Sequence, residues 1–99
     1  MNSHLFELKL QRRAVAEKLT PDVVLSSLDS NGATTKYGEI VAQVGMQLGL
    51  GRAYDYALYY EISRILQRLR RVGRVELIKG VGAGWRLSGP ELIARITAP

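Results

Sequence analysis

The sequence contains no cysteine and a single histidine, His4, which removes several kinds of chemistry at once. Without cysteine, disulfides, thiolate nucleophiles and cysteine-ligated zinc sites are excluded. Paired carboxylates at a spacing suited to acid–base catalysis are missing, and so is any cluster of metal ligands. We therefore expect no enzyme activity, no metal site, no cofactor and no small-molecule ligand.

Long apolar runs are absent too, since none approaches the roughly 18 residues that a membrane-spanning helix requires. Residues 1–10 lack the basic flank and continuous apolar stretch of a signal peptide. The composition, 46% hydrophobic and 23% charged over 99 residues, is that of one globular domain. We therefore expect a single cytoplasmic domain with no membrane association.

Acidic residues are scarce in one part of the chain, and the net charge of +5 is located there. Residues 52–86 carry eight basic and three acidic side chains, whereas the remaining residues carry six of each. A net positive charge confined to one segment is typical of a surface that binds phosphates.

The basic segment is predicted to form one long helix over residues 53–72 and a hairpin over residues 74–87. Gly73 is expected to end the helix as a left-handed cap. The hairpin is indicated by alternating apolar and polar residues on both sides of a glycine-rich turn at 80–84. Apolar residues recur along the helix at three- and four-residue intervals and predict its buried side: Leu58, Ile62, Ile65, Leu66, Leu69 and Val72.

Shorter helices are predicted before and after this segment. Thr20 as N-cap and Pro21 in the first turn begin a helix that ends near Ser30, followed by a very short strand at 33–34. A helix over residues 36–47 is expected to be capped by Thr35. The terminal helices are marked by an imperfect apolar stripe (Leu5, Leu8, Val15, Leu19) and by a capping box (Ser88, Glu91) before three apolar residues (Leu92, Ile93, Ile96).

This order of elements, with a glycine-containing break at 49–51 and an aromatic hairpin strand at Trp85, resembles the winged-helix (winged helix-turn-helix) DNA-binding domains over residues 20–88. The resemblance implies a mainly α fold with a small β-hairpin (α+β), extended by an N-terminal helix in 1–19 and a C-terminal helix in 89–99. In that family the third helix enters the major groove, and the hairpin, called the wing, contacts the flanking DNA. Trp85 itself is expected to pack in the core.

The outer face of helix 53–72 is the predicted contact surface for DNA. Arginine and glutamine can pair with base edges, while tyrosine hydroxyls and the other arginines contact phosphates. Because the first half of a recognition helix meets the bases, Tyr56, Tyr60 and Arg64 are the expected base readers. For Arg86, phosphate contact and an ordinary hairpin role both stay open. The predicted DNA-binding residues are Lys36, Arg52, Tyr56, Tyr60, Arg64, Gln67, Arg68, Arg71, Lys79 and Arg86.

Nucleotide binding by the glycine-rich turn is not expected. The turn lacks the third glycine of a dinucleotide fingerprint and the Gly-Lys-Ser/Thr of a P-loop, and it lies within a hairpin.

These features predict sequence-specific binding of double-stranded DNA by a small transcriptional regulator. It would act as a homodimer through its terminal helices, although these helices could instead fold back on their own domain. One alternative is a winged-helix module that docks a protein, because tyrosine and arginine are also enriched at protein interfaces. Another is a role in replication or on RNA with the same fold.

Overall fold

The computed structural model describes residues 3–97 of the protein and the side chains of residues 7–97. Within this range the chain forms α1 (Ser3–Lys18), α2 (Pro21–Ser26), α3 (Tyr37–Leu48), α4 (Asp55–Arg71) and α5 (Gly89–Thr97). A 3₁₀ turn, Arg52–Tyr54, precedes α4, and the strands β1 (Val75–Ile78) and β2 (Gly84–Leu87) separate α4 from α5. The prediction of a mainly helical chain with a small antiparallel hairpin is confirmed.

The core is built around α4, against which α1, α2, α3 and β1 all pack. Its inward side chains Leu58, Ile62 and Leu66 are fully buried, as the sequence predicts. Val15 of α1 and Ile40 of α3 are also fully buried, so both of these helices contribute to the core around α4. Removing this apolar surface from water is the main stabilising contribution to the fold.

α4 begins two residues later and ends one residue earlier than the predicted helix 53–72. Residues 52–54 wind as a 3₁₀ turn, in which the Tyr54 amide donates to the Gly51 carbonyl at 3.0 Å, so the α-helix begins only at Asp55. It ends at Arg71, one residue before the predicted end. The prediction of Gly73 as a left-handed cap is confirmed, since Gly73 adopts a φ of 78° and the Arg74 amide donates to the Leu69 carbonyl at 2.9 Å. The prediction that Val72 is buried is wrong: it is 66% exposed, because the chain has already left the helix there.

The hairpin is joined to the segment before α3 by a backbone bridge that was not predicted. Thr35 donates to the Trp85 carbonyl at 2.7 Å and accepts from the Trp85 amide at 2.9 Å. The predicted strand at 33–34 is therefore a single bridge at Thr35. The prediction that Thr35 caps the helix is also wrong, since α3 has Lys36 at its N-cap and no side-chain capping bond. Trp85 is buried, as predicted.

The other helix boundaries are partly as predicted. Thr20 caps α2, because its Oγ1 accepts from the Val23 amide at 3.2 Å, but α2 ends at Ser26 and not near Ser30. Ser88 caps α5 through a 3.2 Å bond from the Glu91 amide. The Glu91 carboxylate, however, turns away from the expected capping box to meet Arg74.

The N-terminal helix folds back onto its own domain along part of the predicted stripe. Val15 and Leu19 are buried and Leu8 is half-buried, whereas the side chains of Leu5 and His4 lie outside the described part of the protein. No helix in residues 3–97 combines the length and apolar character that crossing a membrane would demand.

Candidate nucleic-acid interface

The outer face of α4, defined by Tyr56, Tyr60, Arg64, Gln67 and Arg71, points away from the core, and all five side chains are exposed. They follow one another at three- and four-residue spacing, which keeps them on one side of the helix. The opposite side of α4 is the buried stripe already described. This face is therefore held by a packed helix and is open to a ligand.

Tyr56 and Tyr60 form a pair at the first half of this face. Their hydroxyls are 3.2 Å apart and their rings meet edge to face, with centroids separated by 5.0 Å. The hydrogen bond to Tyr60 raises the pKa of Tyr56 above its usual value of 10.0. A phenol hydroxyl can donate a hydrogen bond to an acceptor oxygen as well as accept one.

Tyr37 at the start of α3 fixes one flank of α4. Its hydroxyl donates to the backbone carbonyl of Tyr59, and the two rings lie 4.6 Å apart. Burial, followed by the nearby Tyr59 phenol, raises the pKa of Tyr37 well above its usual 10.0, although hydrogen bonds with Ser63 oppose the shift. Sequence reasoning missed this contact, because the partners are 22 residues apart and nothing local in the sequence indicates it.

Arg64 lies at the boundary between the outer face of α4 and α1. Its Nη1 is 3.7 Å from Glu61 Oε1, and the same oxygen accepts from Arg12 Nε of α1 at 3.2 Å. The Arg12 guanidinium also lies 5.6 Å from the centre of the Tyr60 ring, a cation–π distance. The arginine predicted to read bases is thus drawn towards α1, while the tyrosines remain on the outer face.

The second half of α4 carries two residues that are predicted to contact phosphates, Arg68 and Arg71. Arg68 and Arg71 are exposed, and no ion pair within the described part of the chain involves either of them. Gln67, which precedes Arg68, is exposed as well. The basic residues of the last turn also lie near the negative end of the helix dipole, which they stabilise.

The hairpin and the start of α3 bring two predicted residues together. Lys36 and Lys79 line one shallow groove of about 500 Å³, whose floor is formed by hairpin residues including Trp85. Arg86 instead pairs with Glu76 directly across the two strands, at 2.9 Å, so a carboxylate already balances its charge. Arg52 is exposed in the 3₁₀ turn and does not line this groove.

Three basic residues of α1 were not predicted to belong to the site. Lys9, Arg12 and Arg13 line a cleft with Arg64 and Glu61 of α4. Their spacing along α1 was visible in the sequence, but the packing of α1 beside α4 was not.

Among the side chains of residues 7–97, no group of three or more His, Asp or Glu converges into a cluster that could hold a metal ion. Compared with known protein families, with curated proteins and with solved structures, the chain matches none.

Proposed function

We propose that this protein is a winged-helix domain that binds double-stranded DNA, with α4 in the major groove and the hairpin as the wing. The observation that carries the proposal is the position of the charge. The segment holding the whole net charge folds so that Arg68 and Arg71 face solvent, while its apolar side chains form the core. A basic, exposed helix on a rigid support is suited to a polyanion.

The order of elements supports the winged-helix assignment. Three helices precede the hairpin once α1 is set apart, and the last of them, α4, follows a glycine-containing break after α3. Through an antiparallel bridge to Trp85, Thr35 pairs with the second strand of the hairpin. A hairpin tied in this way to the start of α3 holds a fixed position relative to α4, as a wing requires.

The side chains of α4 divide into two roles in this proposal. Tyr56, Tyr60 and Gln67 offer neutral donors and acceptors, which suit base edges in the major groove. Arg68 and Arg71 suit phosphates, which set affinity and register without reading sequence. Lys36 and Lys79 contact the phosphates beside the wing.

A second copy of the chain completes the proposal, which is of a cytoplasmic, homodimeric transcriptional regulator. Val15 and Leu19 are already used by the core, but Leu10, Ile93 and Ile96 stay largely exposed. These side chains could be buried between two copies on a symmetric operator. Sedimentation equilibrium of the wild type and of Ile93→Asp with Ile96→Asp tests this, and a wild type that is monomeric throughout removes the dimer from the proposal.

The function is tested by fluorescence anisotropy with a labelled random duplex, titrated at several salt concentrations. We expect affinity to fall steeply with salt, because each neutralised phosphate contributes about 0.9 to the logarithmic slope. In the double variant Arg71→Ala, Lys79→Ala, we expect that slope to be smaller by about two. A matched control, Lys18→Ala with Arg95→Ala, removes the same charge outside the proposed interface and should change binding little.

Absence of duplex binding even at low salt contradicts the proposal. A salt-tolerant, stoichiometric complex with another protein would then favour a docking module, since the same tyrosines and arginines suit a protein interface. Preference for structured RNA over any duplex would favour the RNA-associated alternative.

A further inference from the structure

The packing of α1 against α4 creates a basic cleft beside the outer face of α4, with which it shares Arg64. This α1–α4 cleft has a volume of about 330 Å³ and is lined by Lys9, Arg12, Arg13, Ala16, Glu61 and Arg64. Four of these side chains are cationic and one is anionic, so the lining carries a net charge of +3. The cleft is open to solvent along the exposed residues Lys9 and Arg13.

The single carboxylate in the lining organises two of the cations. Glu61, whose side chain is only 13% exposed, accepts from Arg12 at 3.2 Å and lies 3.7 Å from Arg64. Lys9 and Arg13 belong to no ion pair within the described residues. Glu61 therefore holds the two arginines, whereas the charges of Lys9 and Arg13 have no carboxylate partner among residues 7–97.

The cleft is continuous with the outer face of α4. The Arg12 guanidinium lies 5.6 Å from the centre of the Tyr60 ring, and the Tyr60 hydroxyl is 3.2 Å from that of Tyr56. Arg64 belongs to both surfaces. A duplex that reaches Tyr56 and Tyr60 therefore brings its sugar–phosphate backbone close to α1.

We propose that the α1–α4 cleft binds the phosphate backbone of the same duplex, with Lys9 and Arg13 as its contacting residues and Arg12 as a positioning residue. The inference rests on the proposed DNA-binding function and extends it to a helix outside the winged-helix core. Guanidinium and ammonium groups in one opening suit two phosphate oxygens, and contacts of this kind add affinity without sequence preference. The helix α1 thereby acts as a second clamp beside α4.

The test compares a double variant, which carries both Lys9→Ala and Arg13→Ala, with the wild type in the same salt-dependent anisotropy titration. Both side chains are exposed, so the variant should keep its fold, which circular dichroism checks. We expect roughly ten-fold weaker binding at low salt, equally for every duplex sequence, and a logarithmic salt slope lower by about two.

The matched control is again Lys18→Ala with Arg95→Ala, which removes the same two charges. Lys18 lies nine residues after Lys9, about 180° round the helix, and so points away from the cleft. A loss confined to the Lys9 and Arg13 variant supports the inference. An equal loss in the control would mean that net charge alone is responsible, and this would overturn the inference.

The outcomes separate the two proposals. If the wild type binds duplex and the Lys9 and Arg13 variant binds with the same affinity and slope, the cleft is not used and the DNA-binding function stands. If the wild type binds no duplex, both proposals fail. A parallel titration of the wild type with inorganic phosphate, monitored by amide chemical shifts, distinguishes a free anion from the DNA backbone. If phosphate shifts the amides of α1 while the Lys9 and Arg13 variant binds duplex as tightly as the wild type, the cleft binds a free anion and the inference is overturned.

Discussion

Gly84 is placed where the hairpin approaches the backbone of Thr35 most closely. Its φ is 153°, and a Cβ built on it would lie 2.7 Å from the Thr35 carbonyl oxygen. This carbonyl cannot move away easily, because it accepts from the Trp85 amide at 2.9 Å. At this position only glycine allows the hairpin to stay attached.

The first prediction compares Gly84→Ala with Gly82→Ala. Gly82 also has a positive φ, 72°, but its Cβ would meet no atom within 4 Å, so it shares the backbone strain and not the clash. We expect Gly82→Ala to cost about 1 kcal/mol and Gly84→Ala about 3 kcal/mol of unfolding free energy. Urea denaturation measures both. Equal losses would mean that the hairpin can move off Thr35 at no cost.

Tyr37 gives a prediction about alkaline pH. Because its pKa is raised in the folded state, the folded protein keeps this proton where the unfolded chain has lost it. The stability that the buried phenol contributes is therefore fully present below pH 10.0, its usual pKa, and is lost progressively as the pH rises above that value.

The measurement is the urea midpoint of the wild type and of Tyr37→Phe, from neutral pH to above pH 10.0. At neutral pH we expect the variant to be less stable by about 1 kcal/mol, since it lacks the bond to the Tyr59 carbonyl. Above that pH the difference should shrink, because phenylalanine cannot ionise. A difference that stays constant would show that Tyr37 ionises as freely in the fold as in the unfolded chain.

At the scale of elements, α5 is tied to the base of the hairpin by one carboxylate. Glu91 accepts from Arg74 at 3.0 and 3.1 Å and from Arg95 at 3.2 Å. The hydrogen bonds from Arg74, with a smaller contribution from Arg95, hold the pKa of Glu91 below its usual 4.5, although desolvation opposes the shift. Next to it, Leu92 packs against the core.

This arrangement predicts how α5 responds to acid. A depressed folded pKa means that the contribution of Glu91 to stability is present above pH 4.5 and is lost as the pH falls through the folded value. Glu91→Gln should lower stability by about 1 kcal/mol at neutral pH and remove that part of the acid dependence. Thermal unfolding at neutral and acid pH checks both effects. If the stability of Glu91→Gln depends on acid pH as that of the wild type does, other carboxylates are responsible for this dependence.

The sequence predicted the elements better than their ends. The spacing of apolar residues was enough to predict α4, because a helix that is buried on one side carries apolar residues at three- and four-residue intervals. The role of Thr35 was predicted wrongly, because its backbone is bonded to the distant residue Trp85, which local propensity does not encode. The start of α4 was predicted wrongly as well, since residues 52–54 wind as a 3₁₀ turn. In the site, the exposed face of α4 could be read from spacing and charge. The ion pair between Arg12 and Glu61 could not, because it joins residues 49 positions apart.

At the scale of the whole molecule, α1 belongs to the same packed unit as the other helices. Val15 is completely buried in the shared core, whereas Leu10 on the same helix is 50% exposed. An element that contributes to the core should unfold together with it.

This predicts that Val15→Ala destabilises the entire domain by about 2 kcal/mol, because it leaves a cavity against α4. Leu10→Ala is the matched control and should cost well under 1 kcal/mol. Chemical denaturation followed by both far-UV circular dichroism and tryptophan fluorescence is the measurement. Trp85 is buried in the hairpin, far along the chain from Val15, so coincident shifts of the two signals would support one cooperative unit. A shift in circular dichroism alone would mean that α1 unfolds separately.

The anchoring of both terminal helices has a practical consequence for anyone preparing shorter fragments. A piece trimmed to residues 20–88 would keep the predicted winged-helix core but lose Val15 and the carboxylate of Glu91. It would expose apolar surface of α4 to solvent at one end and leave Arg74 without its partner at the other. Limited proteolysis should therefore leave α1 attached until the whole domain is digested, and a shorter piece keeps Val15 and the partner of Arg74 only if it includes α1 and Glu91.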